Sequence, residues 1–286
     1  MHLSRLDNEV IFKKAFTDKL VFTQFVKDVI GIDIKVGKIE TEKRFKPKIC
    51  IRDTAYIDFA YDIFAESTDE RVIVEIQRVN YDYNFDRFLH YHTMAIAELQ
   101  RSATDYKIKP TVYTIVVLTA SATIEDKDGE EVSDDVLISY VNPRNRKGKV
   151  VNLYGHQLIF LNPNFKNDDT PPSLKDWFDL INESIDNPEK PSLNLKNKAI
   201  KKVVKLIEED NLTPEERKAA KIAVATEKTR LLVERKAEAK GRQEEKLEMA
   251  QKMIVKGFDI ETISEMTGLD VETLNQLEKE SYVGDV

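Results

Sequence analysis

The sequence predicts an α/β domain, a sheet covered by helices, followed by an all-helical C-terminal extension. Three observations carry this. Apolar residues in the first half recur first with helical and then with strand period, in the order helix, hairpin, helix, strand, the pattern of a sheet flanked by helices. A polar stretch holding Pro188 and Pro191 then interrupts the chain. Beyond it the residues are strongly charged and read as helix. The expected division is a domain at 1–186, a linker at 187–194 and a helical tail at 195–286.

From Glu9 to Ile30, Phe12, Ala15, Phe16, Leu20, Phe22, Phe25, Val26 and Ile30 follow one helical face, broken near Thr17, with Gly31 as the stop. Ala55–Ala65 and Arg71–Val79 are rich in Ile, Val, Phe and Tyr and flank Ser67-Thr68-Asp69-Glu70, which predicts a β-hairpin. Phe85–Gln100 sets Phe88, Leu89, His92, Ile96 and Leu99 on one helical face, and Thr111–Leu118 is a nearly continuous apolar run, a buried strand. Leu158–Leu161 reads as a short strand and Leu174–Ile185, with Trp177, as a short helix. Thr213-Pro214-Glu215-Glu216 is a helix start, with Thr as N-cap, Pro at the first position and Glu three residues after the cap. A long charged helix is expected from there towards Gly257.

Composition limits the function. With 41% hydrophobic and 33% charged residues, the chain is globular with a solvated helical part. No charged-then-apolar leader opens it and no apolar run reaches the ~18 residues of a membrane span, so a cytoplasmic protein without membrane partners is expected. The single cysteine, Cys50, excludes an internal disulfide and reads as a core thiol. A net charge of −7 argues that any contact with nucleic acid is local.

The hairpin carries the chemistry. Residues that pair across an antiparallel ladder share an index sum, and a loop centred between Thr68 and Asp69 sets it at 137, the sum of Asp62 and Glu75. Two like charges then face each other, one of them within the apolar run Val72-Ile73-Val74-Glu75-Ile76, so a cation belongs between them. Alternation sends Gln77 to the side of Glu75. Hard oxygen ligands favour Mg²⁺ or Mn²⁺ over zinc. Asp58 shares the face of Asp62, but its index partner is Val79, outside the cluster, so Asp62 ranks first. The other reading of the pair is a carboxylate that meets an arginine or lies on a solvated face.

At these residues the chain resembles the PD-(D/E)XK nuclease superfamily and, more closely, its recombination-promoting nuclease (Rpn), transposase-like family. The match runs through Glu9, Phe12, Lys13, Lys14 and Phe16, through Asp62-Ile63-Phe64-Ala65 and Val74-Glu75-Ile76-Gln77, and through Arg87 and Tyr91. Gln157–Leu161, Trp177 and the charged tail with Gly241 are similar too. The resemblance implies an αβββαβ restriction-endonuclease-like core, a mixed sheet flanked by helices. It also implies Mg²⁺-dependent DNA cleavage, with a role in recombination, transposition or defence against mobile DNA. Asp62 and Glu75 would ligate the metal, with Ile76 as a backbone-carbonyl ligand and Glu9 as a carboxylate near it. One departure matters: the superfamily's lysine is Gln77 here, which removes a cation. Gln77 would orient water, and Arg87, one helical turn from Tyr91, is the candidate for phosphate. His90 and His92 are two apart on a helix and do not share a metal, and His92 reads as packed.

Residues Phe258–Glu280 space Ile260, Ile263, Met266, Leu269, Val271, Leu274 and Leu277 like a helix-turn-helix around Gly268. Its second helix holds Glu272, Glu278 and Glu280 against Lys279, which disfavours phosphate contact and favours packing or homodimerisation through the tail. An alternative for the whole chain is a weak or inactive nuclease fold acting as a DNA- or protein-binding regulator.

Overall fold

The computed structural model describes residues 2–44, 60–77, 85–100, 108–120, 124–126 and 128–283. Cys50, Asp58 and Val79 lie outside them. The chain divides into two compact units, Met1–Ala223 and Val224–Val286.

Two helices open the first unit. In α1 (Glu9–Phe16) the Asn8 side chain caps the amides of Val10 and Ile11, and in α2 (Lys19–Ile30) Asp18 caps Leu20 and Val21. The break at Thr17 is the C-cap of α1, and Gly31, with φ of 75°, ends α2 in the left-handed region. The strands are β1 (Ile39–Arg44), β2 (Ala60–Glu66), β3 (Glu70–Gln77), β4 (Thr111–Leu118), a short pair β5 (Ile124–Glu125) and β6 (Glu131–Val132), then β7 (Val136–Tyr140) and β8 (Gln157–Leu161). The main sheet has the order β1-β2-β3-β4-β8-β7; β3, β4 and β8 run parallel, and β1, β2 and β7 pair antiparallel to their neighbours.

This is the expected mixed sheet flanked by helices. On one face Ile63, Ala65, Val72, Val74 and Ile76 pack with α1, α2, α4 (Pro172–Asp186) and α5 (Lys198–Ile207), around Phe16, Phe25 and Trp177. On the other, α3 (Asp86–Ala97) covers Phe64, Ile73, Val112, Val116 and Phe160. Leu20 and Leu89, expected on buried helical faces, are exposed.

The expected linker and boundary are corrected. Ala199, Ile200, Val203, Val204 and Ile207 of α5, and Leu212 after it, are buried in the first unit's core. Residues 187–194 are tied down too: Leu3 N–H donates to Pro188 O at 2.9 Å and Ser192 N–H to a Glu183 carboxylate oxygen at 2.8 Å. The prolines mark a tight connection between two packed helices, not a boundary.

Helix α6 (Pro214–Val255) starts as expected, Thr213 and Glu216 each accepting from the other's amide, at 3.2 and 2.8 Å. The second unit holds its end, α7 (Ile260–Thr267) and α8 (Val271–Val283). Ile263, Leu269 and Leu274 are buried there, joined by Ala250 and Met253 of α6, while Met266 and Val271 are exposed. The module is thus three helices, the third drawn from the long charged one. No helix among the described residues is long and apolar enough to cross a membrane.

Candidate active site

The site lies where the β2–β3 ladder stops. Ser67 closes the turn, its amide donating to Glu70 O at 2.7 Å, and the ladder keeps the index sum of 137 from Glu66↔Arg71 to Ile63↔Val74. At the next step side chains replace backbone partners. The Asp62 amide donates to Glu75 Oε1 at 3.0 Å and the Ile76 amide donates to Asp62 Oδ2 at 3.0 Å. Each carboxylate therefore satisfies an amide of the opposite strand, which holds the two acids together despite their like charge.

Burial makes that arrangement costly. Glu75 is 1% exposed, and burial first, then the charge of Asp62, drives its carboxyl well above the usual range, against the pull of the Asp62 amide, Arg87 and Lys13. Burial also raises Asp62, opposed by Lys13 and the Ile76 amide. A desolvated, half-compensated acid pair is a marker of a functional site.

The cation that the like-charged pair calls for is Lys13. Its Nζ lies 3.3 Å from Asp62 Oδ1, 3.4 Å from Glu42 Oε1, and pairs with Glu9 one turn away. Burial works against its charge, but Asp62, Glu9 and Glu42 outweigh it and its pKa is raised. Glu42 adopts φ of 52°, a left-handed conformation costly for a side chain with a Cβ, and this local strain in β1 accompanies its approach to Lys13. Sequence reasoning missed both roles; the single available signal was Lys13 standing one turn after Glu9.

The structure brings Glu9, Ile76, Arg87 and Tyr91 to this pair. Glu9 reaches it through Lys13. Ile76 is bound to Asp62 through its amide. Gln77 is buried at the end of β3, its carbonyl accepting from the Thr119 amide at 2.9 Å. Arg87 lies against the rings of Phe88 and Tyr91, at 5.2 and 5.4 Å, and its charge favours ionised Glu75. Tyr91 feels Glu75, Asp62 and Arg87, with burial the main cause of its raised pKa. His92 is packed, as expected: its Nδ1 is 2.9 Å from Thr114 Oγ1, and burial lowers its pKa to about 4.

Residues 7–231, most of the chain, match the family model described as PD-(D/E)XK nuclease family transposase. The chain belongs to this family. Residues 243–279 match a second model, described as Rpn/YhgA-like nuclease family, C-terminal HTH domain. No curated protein and no solved structure matches the chain. The resemblance read from Asp62, Glu75 and their neighbours is thereby established, and the three-helix second unit coincides with the helix-turn-helix match.

The donor set suits a divalent cation. Among the described residues the cations that act on Glu9, Glu42, Asp62 and Glu75 are Lys13 and Arg87, four acids to two cations. Among the described residues no cluster of three or more His, Cys, Asp or Glu forms a complete metal cage. Two carboxylates with a backbone carbonyl and water are a set that Mg²⁺ accepts, since it keeps several waters.

Proposed function

We propose that the protein is a cytoplasmic Mg²⁺- or Mn²⁺-dependent DNA endonuclease of its family, acting in recombination, transposition or defence against mobile DNA. The observation that supports this most is the buried Asp62–Glu75 pair, cross-tied to backbone amides at the end of the sheet, where burial opposes the charge of both acids. Asp62, Glu75 and the Ile76 carbonyl would hold the metal. When bound, the ion supplies Lewis acidity at the scissile phosphate and lowers the pKa of a water nucleophile. Lys13 brings to Asp62 the ammonium that Gln77 does not supply, positioned to offset charge developing on the phosphate, while Glu9 and Glu42 hold that ammonium in place. Gln77 orients water, and Arg87 and Tyr91 form the phosphate-facing wall. The second unit adds a contact to DNA or to a second copy of the chain.

Plasmid cleavage with Mg²⁺, with EDTA and with Glu75→Ala tests the reading. Nicking by wild type alone, and only with Mg²⁺, supports it. Plasmid binding without cleavage under Mg²⁺ or Mn²⁺ would favour the second reading, a regulator on an inactive nuclease fold, which the glutamine at position 77 supports.

A further inference from the structure

The segment joining β7 to β8 forms an exposed two-stranded arm. The Val151 amide donates to Pro143 O at 2.8 Å, Arg144 bridges to Val150, and Asn142 Oδ1 accepts from the amides of Leu153 and Tyr154 at 2.9 Å each. At the tip Asn145 Oδ1 accepts from the amides of Lys147 and Lys149, at 2.9 and 3.0 Å, and Gly148 takes φ of 79°, which closes a tight turn. The arm is thus ordered by its own backbone and asparagines.

Its charge is all of one sign. Arg144, Arg146, Lys147 and Lys149 lie within six positions, whereas none of the chain's 51 acidic residues falls between Val136 and Asn167. Among the described residues no carboxylate pairs with any of the four cations, and only Arg144 is engaged, donating to Gly148 O at 3.1 Å. Tyr140 and Tyr154, 54% and 52% exposed, flank the root.

We infer that this arm is a nucleic-acid-binding element that grips the phosphate backbone of duplex DNA away from the cleavage site. A two-stranded ribbon fits the major groove, and the cations at its tip meet phosphates. Placement agrees. The root pair Tyr140↔Gln157 lies three strands across and three residues along the sheet from Glu75, by way of Phe160↔Val116 and Val116↔Glu75. At ~4.8 Å per strand and ~3.3 Å per residue that is roughly 17 Å, or about five base pairs of duplex. The inference rests on the proposed function for its substrate class, but does not require that cleavage occur.

The test uses the full chain with Arg146→Gln, Lys147→Gln and Lys149→Gln combined, leaving Arg144 to its structural hydrogen bond. Binding to a labelled duplex of about three helical turns is followed by fluorescence anisotropy in EDTA, from about 50 to about 200 mM salt. The expected result is affinity about tenfold weaker or worse and a log–log salt slope shallower by about 2–3, near one for each phosphate no longer neutralised. The control, Lys196→Gln, Lys201→Gln and Lys205→Gln together, changes net charge equally and should bind as wild type does. Equal weakening by both triples would overturn the inference. So would unchanged duplex binding, and if self-association were abolished instead, the arm's partner would be a second copy. Hydrogen exchange on the wild type is independent of variant folding: amides 146–149 should gain protection on adding duplex, and unchanged exchange there counts against the arm. Cleavage separates the two proposals. An arm that binds DNA in a protein that cuts nothing sinks the nuclease, and a nuclease indifferent to the triple substitution sinks the arm.

Discussion

The two ends of the β2–β3 hairpin treat buried charge in opposite ways. Near the turn, Arg71 is buried between Glu66 and Glu98, donates to both carboxylates and to the Ala95 carbonyl at 2.9–3.2 Å, and lies over the Phe64 ring. Two acids share one fixed cation that also ties the hairpin to α3. At the far end Asp62 and Glu75 face each other, and the nearest cation among the described residues, Lys13, is divided among three carboxylates. At the turn both acids are part-exposed, so water shares in satisfying them; at the far end the acids are desolvated, and a divalent ion can meet that demand. A buried carboxylate by itself does not distinguish structure from chemistry. A second acid buried beside it does.

Substitution at the two ends should therefore separate stability from activity. The largest expected effect is at the site: Asp62→Ala or Glu75→Ala should reduce Mg²⁺-dependent cleavage by at least about 10²-fold, equivalent to ~3 kcal/mol of transition-state stabilisation. Both variants should stay folded by circular dichroism. At the turn, Arg71→Ala should cost about 3–5 kcal/mol, because it strands two carboxylates and a carbonyl. In calorimetry this would lower Tm by at least about 6 °C for a unit of this size. Cleavage at the wild-type rate by either site variant, or an Arg71 variant as stable as wild type, would erase the distinction.

Lys13 gives the next effect. If its ammonium offsets charge at the phosphate, Lys13→Met should slow cleavage by about 10²-fold, with partial rescue by Lys13→Arg. A structural ion pair makes no such demand for rescue. Calorimetric titration adds a second readout: with the competing cation removed, Mn²⁺ should bind more tightly to Lys13→Met than to wild type. Unchanged rate and unchanged Mn²⁺ affinity would return Lys13 to a packing role.

Smaller, but with a defined sign, is the pH dependence of metal-free stability. The folded pKa of Glu75 is raised, so its favourable contribution is present below the unfolded value near 4.5 and is lost as pH rises through the folded pKa. Glu75→Gln should therefore match wild type below about pH 4 and exceed its Tm by about 2 °C or more at pH 7. His92 acts in reverse: with a folded pKa of about 4, its contribution is intact above about 6.5 and is lost as pH falls towards 4. Since His92 is common to both proteins, the difference between their Tm curves isolates Glu75. A difference that shrinks with rising pH would contradict the burial of this acid.

What the sequence made legible follows from periodicity. The elements α1, α2, α3, β3 and β4 have strong apolar patterns, and the hairpin's index sum brought Asp62 and Glu75 together without coordinates. The strands β1 (IETEKR) and β7 are edge strands with little burial, so they lack the alternation that identifies a half-buried strand. The buried stripe of α5 was present at helical spacing, but a proline-containing polar stretch before it reads equally as a linker or as a tight connection. Lys13 and Glu42 were illegible for another reason. Their roles depend on which helix and which edge strand end beside β2, a tertiary fact that no local pattern encodes. A fragment ending at residue 193 would lose the apolar face of α5 and should fail to fold, whereas one ending at Ala223 should remain folded by circular dichroism.

The mildest test of the unbalanced end is Gln77→Lys, which adds a second ammonium where Lys13 already supplies one. Alternation places residue 77 on the side of Glu75, with the Ile73 row that α3 covers, about 6.6–7 Å further along β3. Lysine is long enough to send its ammonium towards the carboxylates, and there it lowers the surplus negative charge that draws a divalent ion. At low Mg²⁺ the variant should be slower than wild type, because metal binding weakens. At saturating Mg²⁺ that loss disappears, and a cation beside the phosphate should make the variant faster, by less than the loss expected for Lys13→Met, since Lys13 already offsets part of the charge. Combining Gln77→Lys with Lys13→Met makes the comparison sharper, as the new ammonium should then restore more activity than it adds to wild type. Non-additivity of this kind is expected only of two residues acting on one site. If the rate and the Mg²⁺ midpoint of Gln77→Lys equal those of wild type, residue 77 does not act on the metal, and the polar end of the hairpin reduces to Asp62, Glu75 and Lys13.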